Sequence, residues 1–191
     1  MDQSLAIEIL DQRDIQKKGG LASRYPTSYI ISQILNKYLF QNVLDVTYGV
    51  GRFYKISRPS FLVGADIKKR EWEIKPDLFF QKAVWSLRYC NDLKRFHFDL
   101  IVVDPPWGKN HIRRPEYSDL FGTPELIIQY AIKLAIDLNI QYALVHYDKL
   151  IKNKDLEIIE NIAFKPLTRY LNIRDYHITY FTLYRIKRQN N

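Results

Sequence analysis

The chain has 191 residues, of which 47% are hydrophobic and 26% charged. This length fits one domain, or one domain with an appendage, and the composition excludes a disordered or collagen-like chain. The longest uncharged stretch, residues 25–36, is too short for a membrane span of about 18 residues. No basic and apolar regions typical of a signal peptide follow residues 1–3. A single cysteine, Cys90, forbids an internal disulfide and suits a reducing compartment, so we expect a cytoplasmic protein.

The charge balance is basic, with 29 Lys and Arg against 21 Asp and Glu and a net charge of +8. A positive surface is what the phosphates of a nucleic acid attract. The same surplus of charge also keeps many proteins soluble, so charge alone leaves the partner open. Aromatic residues make up 14% of the chain, and their rings can form core or stack on bases.

The first 40 residues predict two helices separated by a break. Residues 2–16 place apolar side chains at helical spacing, and the polar stretch 16–20 indicates a flexible linker. We therefore interpret residues 1–20 as an N-terminal extension. After the break, Thr27 or Ser28 is predicted to cap a helix. The apolar face of that helix comprises Ile30, Ile31, Ile34, Leu35 and Tyr38.

Strands and helices then alternate along the chain. Strands are predicted at residues 43–46, 61–66, 99–104 and 142–145, and helices at 82–90, 123–138 and 154–163. The helix at 123 has a threonine cap followed by proline and an early acid. Residues 167–186 alternate about a turn at 172–175, which predicts an antiparallel hairpin. This alternation predicts a doubly wound, mostly parallel α/β sheet, in which ligands bind at the carboxyl ends of the strands.

Polar or glycine residues follow these predicted strand ends. Asp45 precedes Gly49 and Gly51, which would let the backbone approach a ligand closely, although glycine pairs also close many strand–helix junctions. The third glycine of the dinucleotide pattern is missing, so NAD is disfavoured. Asp66 either reaches ribose hydroxyls or is a solvated acid at a strand end. The pair Asn91-Asp92 is either an adenine contact or a simple turn.

The segment Asp104-Pro105-Pro106-Trp107 follows the most apolar predicted strand. Two prolines fix the backbone and remove two N–H donors. The Asp104 carboxylate and the Pro105 carbonyl are then acceptors on a rigid loop, beside the aromatic plane of Trp107. These groups suit a planar substrate with an exocyclic amino group, which would have to be flipped out of a duplex to reach them.

At these residues the sequence resembles the S-adenosylmethionine-dependent methyltransferases that act on exocyclic amino groups of nucleic-acid bases. Residues 45–51 are similar to their first motif, Asp66 to the second, Asp92 to the third, and residues 104–107 to the catalytic D-P-P-aromatic motif. Residues 24–27 resemble the segment that closes over the methionine end of the cofactor. The resemblance spans about residues 22–186, with Thr47 standing where many of these enzymes carry Phe.

This resemblance implies S-adenosylmethionine as cofactor and a Rossmann-like, seven-stranded sheet with a closing antiparallel hairpin, so that residues 21–191 form the catalytic domain. It implies Asp104, Pro105, Pro106 and Trp107 as catalytic residues. The cofactor-binding residues that it implies are Tyr25, Pro26, Thr27, Asp45, Thr47, Gly49, Gly51, Asp66, Ile67 and Asp92.

The sulfonium methyl of that cofactor is already activated, so we expect no metal. The four histidines lack metal-ligand spacing and are interpreted as surface or core residues, with His111 and His146 the two that could touch a substrate. The loop after Trp107 is either a solvated loop or a substrate contact. Its candidate substrate-binding residues are Lys109, Arg113, Arg114 and Tyr117.

Both DNA and RNA stay open as the substrate. No membrane partner is expected. Asp-Pro-Pro-Trp is typical of adenine enzymes, which favours adenine N6 in DNA. The short chain, without a long target-recognition region, favours guanine N2 or adenine N6 in RNA, or a separate specificity subunit. A methyltransferase-like binding module without turnover is a third possibility. A protein glutamine methyltransferase is disfavoured, because the corresponding motif of those enzymes resembles Asn-Pro-Pro-Tyr, whereas this chain has the acid Asp104. Oligomeric state stays open.

Overall fold

The computed structural model describes residues 7–106, 123–167 and 178–187. Within them the strands are β1 (Ile7–Asp11), β2 (Asn42–Asp45), β3 (Phe61–Asp66), β4 (Leu78–Gln81), β5 (Leu100–Val103), β6 (Tyr142–Tyr147), β7 (Leu156–Lys165) and β8 (Thr179–Ile186). These eight strands form one sheet in the order β1-β7-β8-β6-β5-β2-β3-β4. Strand β8 runs antiparallel to both β6 and β7, and the other neighbouring pairs are parallel.

The helices of the described residues lie on the two faces of this sheet. They are α1 (Gln12–Lys17), α2 (Gly20–Arg24), α3 (Pro26–Tyr38), α4 (Val84–Leu87) and α5 (Pro124–Asp137). Two short 3-10 turns, Arg52–Tyr54 and Leu93–Arg95, complete the set. None of these helices is long and apolar enough to cross a membrane.

Two apolar layers hold the helices against the sheet. Side chains alternate along the central strands, so Leu44 and Ile101 pack on one face with α4 and α5. Val43 and Leu100 pack on the opposite face with α1 and α3. All four residues of β5 are buried, as the predicted apolar strand at 99–104 requires.

The chain path determines where a sheet of this kind is expected to bind a ligand. From β2 the chain continues outward through β3 to β4, then returns to add β5 on the other side of β2. The strand order therefore reverses between β2 and β5, and ligands of such sheets bind at the carboxyl ends of the strands at this reversal. The mostly parallel α/β architecture predicted from the sequence is confirmed.

Several predicted elements are confirmed, and one cap is wrong. The four central strands lie where expected, and Thr123 caps α5 by accepting a hydrogen bond from the Leu126 N–H (3.3 Å). Helix α3 starts at Pro26 with Tyr25 at the N-cap, rather than with a Thr27 or Ser28 cap. Proline suits the first helical position, because it has no N–H there to satisfy. The Ser28 hydroxyl instead donates to the Phe53 carbonyl (2.9 Å).

The predicted helix over residues 154–163 is wrong, because these residues form most of β7. A bulge between Ile158 and Glu160 breaks the two-residue alternation and leaves isoleucines at a spacing that imitates a helix. The predicted helix over 2–16 is confirmed over residues 12–16, which lie in α1, and wrong over Ile7–Asp11, which forms β1 and pairs in parallel with β7. Pairing with a distant strand overrides local propensity in both segments.

The count of seven strands is also wrong, since β1 adds an eighth strand beyond β7. Strand β4 has no counterpart among the predicted strands, and the helix predicted over 82–90 is shorter, since α4 covers only Val84–Leu87. The antiparallel hairpin exists, but its arms are β7 and β8. Its predicted turn at 172–175 lies outside the described residues.

Gly51 tests the packing of the loop that follows β2. Its φ is +79°, and a Cβ there would lie 2.6 Å from the Ile74 carbonyl oxygen. We expect Gly51→Ala to lower the free energy of unfolding by roughly 2–4 kcal/mol, combining backbone strain with overpacking. Gly20→Ala is the matched control, because Gly20 has a φ of +56° but nothing within 4 Å. Gly20→Ala should lower the free energy of unfolding by only about 1 kcal/mol. Equal losses in urea unfolding would contradict the assigned close contact.

Candidate active site

Three carboxylates meet at the carboxyl edge of the sheet. Asp45 ends β2, Asp66 ends β3, and Asp104 directly follows β5. Strand β2 lies between the other two and runs parallel to both, with Asp45 opposite Gly64 and Val102, so Asp66 and Asp104 lie two residues further along on either side of Asp45. Their mutual effect is visible at Asp45, where the charges of Asp104 and Asp66 both raise the pKa. This concentration of negative charge favours a cationic ligand.

Asp45 is the most buried of the three carboxylates, with 2% of its surface exposed. Its oxygens accept hydrogen bonds from the Thr47 N–H (3.0 Å) and the Tyr54 hydroxyl (2.9 Å). Burial raises the pKa of Asp45 to about 7, and these two hydrogen bonds act against the rise. Burial and the nearby Asp45 charge raise the pKa of Tyr54 well above its ordinary value, so the phenol stays protonated and donates.

Thr47 links the ends of β2 and β5. Its hydroxyl oxygen accepts a hydrogen bond from the Asp104 N–H (2.6 Å), and the same hydroxyl donates to Asp45 (3.4 Å). The backbone of Asp104 is thereby tied to the loop after β2. Phe, which many of the resembling enzymes carry at this position, has no group that can make this bridge.

The glycine loop is held by Asp66. The Gly49 N–H donates to Asp66 Oδ2 (2.9 Å), and the Lys68 N–H donates to Oδ1 (3.1 Å). Gly49 adopts a positive φ of 57°, which glycine reaches without steric cost. Asp66 therefore fixes the loop, and each of its oxygens keeps a further lone pair for a ligand.

The glycine loop leads into the 3-10 turn Arg52–Tyr54 and then into β3, without an α-helix. A dinucleotide pyrophosphate is normally bound at the N-terminus of a helix in this position. This connection therefore offers carboxylates but no such helix, which disfavours NAD independently of the glycine spacing.

Asp104 has a side-chain partner that the sequence analysis did not assign. Oδ1 of Asp104 lies 2.9 Å from Nδ1 of His146, and Nε2 of His146 lies 3.0 Å from the Thr179 hydroxyl oxygen. From the sequence, His146 was expected to be a surface or core residue that could touch a substrate. Its pairing becomes visible only from the register of β5, β6 and β8.

The segment that precedes the first motif lies against the glycine-loop connection. Tyr25 and Lys55 form a cation–π contact, with Nζ 5.5 Å from the ring centroid. Ser28 accepts a hydrogen bond from the Ile56 N–H (3.0 Å), which joins α3 to the same connection. Pro26 and Thr27 form the first turn of α3 and are half-buried. The structure therefore places residues 25–27 beside the loop after β2.

Asp92 does not join the three strand-end carboxylates. It is exposed, precedes the 3-10 turn Leu93–Arg95, and lies 3.6 Å from Arg95. The residue that ends β4 opposite Asp66 is Gln81, whose side-chain amide donates to the Ile67 carbonyl (3.5 Å). Gln81 was not predicted as a site residue because β4 was not predicted, although the apolar run at residues 78–80 before it is a strand signal.

Pro105 is buried and Pro106 is half-buried. The described residues contain no group of three or more His, Cys, Asp or Glu side chains placed to hold a metal ion. The remaining predicted site residues lie outside the described residues, namely Trp107, Lys109, Arg113, Arg114 and Tyr117.

Comparison with known proteins shows a likeness of fold. No protein-family model and no curated protein matches the sequence. A protein of Pyrococcus horikoshii, provisionally named an RNA methyltransferase, has a TM-score of 0.53 at 10% identity, covering 89% of this chain and 86% of its own. A provisionally named methyltransferase solved with S-adenosylhomocysteine (SAH) has a TM-score of 0.51 at 11% identity, covering 75% of this chain and 45% of its own.

A provisionally named DNA modification methyltransferase of an E. coli prophage has a TM-score of 0.47 at 15% identity, covering 76% of this chain and 47% of its own. The chain spans about half the length of this protein and of the one solved with SAH. The two likenesses above 0.5 show that the chain shares the fold of those proteins.

The raised pKa of Asp45 predicts a pH dependence of stability. The pKa of Asp45 rises from its ordinary value of 3.8 to about 7 in the folded state, so ionisation of this carboxyl destabilises the fold as pH rises between these two values. The loss approaches about 1.4 kcal/mol per pH unit. Asp45→Asn removes the titrating carboxyl. The free energy of unfolding of this variant, measured in urea, should therefore increase relative to that of wild type from pH 5 to pH 8. A difference that stays constant with pH would contradict the assignment.

Proposed function

We propose that this protein is an S-adenosylmethionine-dependent methyltransferase that methylates an exocyclic amino group of a nucleic-acid base. The observation that carries the proposal is the position of Asp104-Pro105-Pro106. This segment leaves β5 at the reversal of strand order, beside Asp45. Adenine N6 in DNA is the first candidate target, because the Asp-Pro-Pro-Trp sequence favours an adenine enzyme.

The carboxyl edge of the sheet suits this cofactor. S-adenosylmethionine supplies an activated methyl group on a sulfonium, and it carries an ammonium as a second positive charge. Asp104 provides an opposite charge after β5, a bound cation would favour ionisation of the neighbouring Asp45, and Asp66 provides acceptor oxygens for ribose hydroxyls. A neighbour of the same fold was solved with SAH, which supports the choice of cofactor.

Asp104 is the proposed catalytic acceptor. Its side chain is 34% exposed, so it is accessible to a substrate, while its backbone N–H is held by Thr47. The two prolines leave carbonyl oxygens without competing N–H donors. The Asp104 carboxylate and the Pro105 carbonyl can then accept hydrogen bonds from the amino group of a base and orient its nitrogen. Orientation of this kind lowers the activation barrier by several kcal/mol, out of the roughly 7–11 kcal/mol that full positioning of reactants can remove.

A specific observation favours RNA as the second candidate substrate. The fold neighbour with a TM-score of 0.53, which this chain matches over 86% of that neighbour's length, is provisionally named an RNA methyltransferase. The positive net charge of +8 suits either nucleic acid.

A methyl-transfer assay tests the proposal and separates the substrates. Purified protein is given cofactor labelled on its methyl group, with duplex DNA and structured RNA in parallel, and the digested nucleosides are identified. We expect N6-methyladenine from DNA. N2-methylguanine or N6-methyladenine from RNA alone would transfer the proposal to RNA. Cofactor binding without label in either polymer would contradict catalysis on nucleic acid and favour a binding module.

Variants of the strand-end acids separate catalysis from cofactor binding. Asp104→Ala should abolish methyl transfer and change S-adenosylmethionine affinity by less than about tenfold, or 1.4 kcal/mol. Asp66→Ala should mainly weaken the binding of the cofactor, which titration calorimetry would measure. Asp137→Ala is the matched control, because it removes the same charge at the far end of α5. Full activity of Asp104→Ala would overturn the catalytic assignment.

A further inference from the structure

We propose that His146 is a positioning residue, which holds the Asp104 carboxylate in one orientation through a hydrogen bond from Nδ1. This inference rests on the proposed function, in which Asp104 receives the amino group of the substrate. The geometry that carries it is a line of three side chains across three neighbouring strands, formed by Asp104, His146 and Thr179.

Strand register brings these side chains together. In the parallel pair β5–β6, Val103 lies opposite Val145, so the next residues, Asp104 and His146, are neighbours. In the antiparallel pair β6–β8, His146 lies opposite Phe181. Thr179 lies two residues from Phe181 along β8, and therefore on the same face of the sheet.

The imidazole is held on its face as well as at its two nitrogens. The His146 and Phe181 rings are stacked, with centroids 4.0 Å apart and planes inclined by 10°. Phe53 packs against the same imidazole at 6.0 Å, with its ring at 65°. The His146 side chain is 9% exposed. A ring confined in this way cannot turn away from Asp104 without disturbing the packing of β6 on β8.

The direction of the hydrogen bonds follows from the chemistry of the partners. An ionised carboxylate only accepts, so Nδ1 of His146 carries the hydrogen shared with Asp104 Oδ1. Nε2 faces a threonine hydroxyl, which can donate or accept, so the contact with Thr179 is satisfied in either case. The arrangement resembles the orientation of a catalytic group by a second, buried group that does not touch the substrate.

The consequence for Asp104 is that both its backbone and its side chain are fixed. Thr47 holds the Asp104 N–H at 2.6 Å, and His146 holds Oδ1 at 2.9 Å. The second oxygen, Oδ2, is then the one expected to meet the amino group of the base. Loss of the His146 bond should leave the cofactor site intact but let the carboxylate rotate, and small misplacements of a reacting group can reduce rates by about 10²-fold.

Three variants of His146 and Thr179 separate positioning from packing. His146→Phe keeps an aromatic ring against Phe181 and loses the donor, so kcat should fall by about 10²-fold while cofactor affinity stays within about threefold. His146→Asn places an amide N–H near the position of Nδ1 and loses the ring, so kcat should stay within about tenfold of wild type. Thr179→Val removes the hydroxyl that contacts Nε2 of His146, and its kcat should lie between those of wild type and His146→Phe. The reverse order, with Phe active and Asn inactive, would show a packing role and overturn the proposal.

An NMR measurement tests the same bond without any activity. The ¹⁵N shifts of the His146 imidazole should show a hydrogen on Nδ1 in wild type, and this signal should change in Asp104→Ala. A wild-type Nδ1 without hydrogen would overturn the proposal. If no nucleic acid is methylated but Nδ1 carries the Asp104-dependent hydrogen, the proposed function fails while the assigned pair stands.

Discussion

The parallel pairing of β2 between β3 and β5 is the constraint on which the site depends. It places the ends of three strands at one edge, and each of those ends carries an aspartate. Like charges this close repel, so the arrangement costs free energy that the apolar packing of the central strands must offset. Both faces of these strands are covered by helices, which provides that packing. A positive charge bound at this edge would reduce the repulsion, so the arrangement favours a cationic ligand.

The buried acid and the loop above it stabilise each other. Asp45 lies where a charged carboxylate is poorly solvated, and it is tolerated because Thr47 and Tyr54 donate to it. In return, Asp45 and Asp66 fix the backbone of residues 47 and 49 in a tight turn. The loop after β2 therefore offers backbone N–H groups held by carboxylates and leads into a 3-10 turn and not into an α-helix, which distinguishes it from a phosphate-binding loop.

Asp104 joins both halves of the sheet. Its N–H is bound by Thr47, which belongs to the loop after β2, and its side chain is bound by His146 on β6. Two bonds from opposite sides restrict a carboxylate more than either alone, and a restricted acceptor is what positional catalysis requires. The two neighbours with TM-scores above 0.5 share the fold in which these strands lie.

The amino-acid sequence by itself determined the central strands, the α5 cap at Thr123 and the three acids, because buried strands and helix caps leave local patterns. It did not determine β7, because a bulge at Ile158 and Glu160 hid the alternation. Nor did it determine β1, an edge strand that exists by pairing with a segment about 150 residues away. The Asp104–His146 pair likewise needed the register of β5 against β6. Contacts between distant segments have no local signature, so only the tertiary structure could decide them.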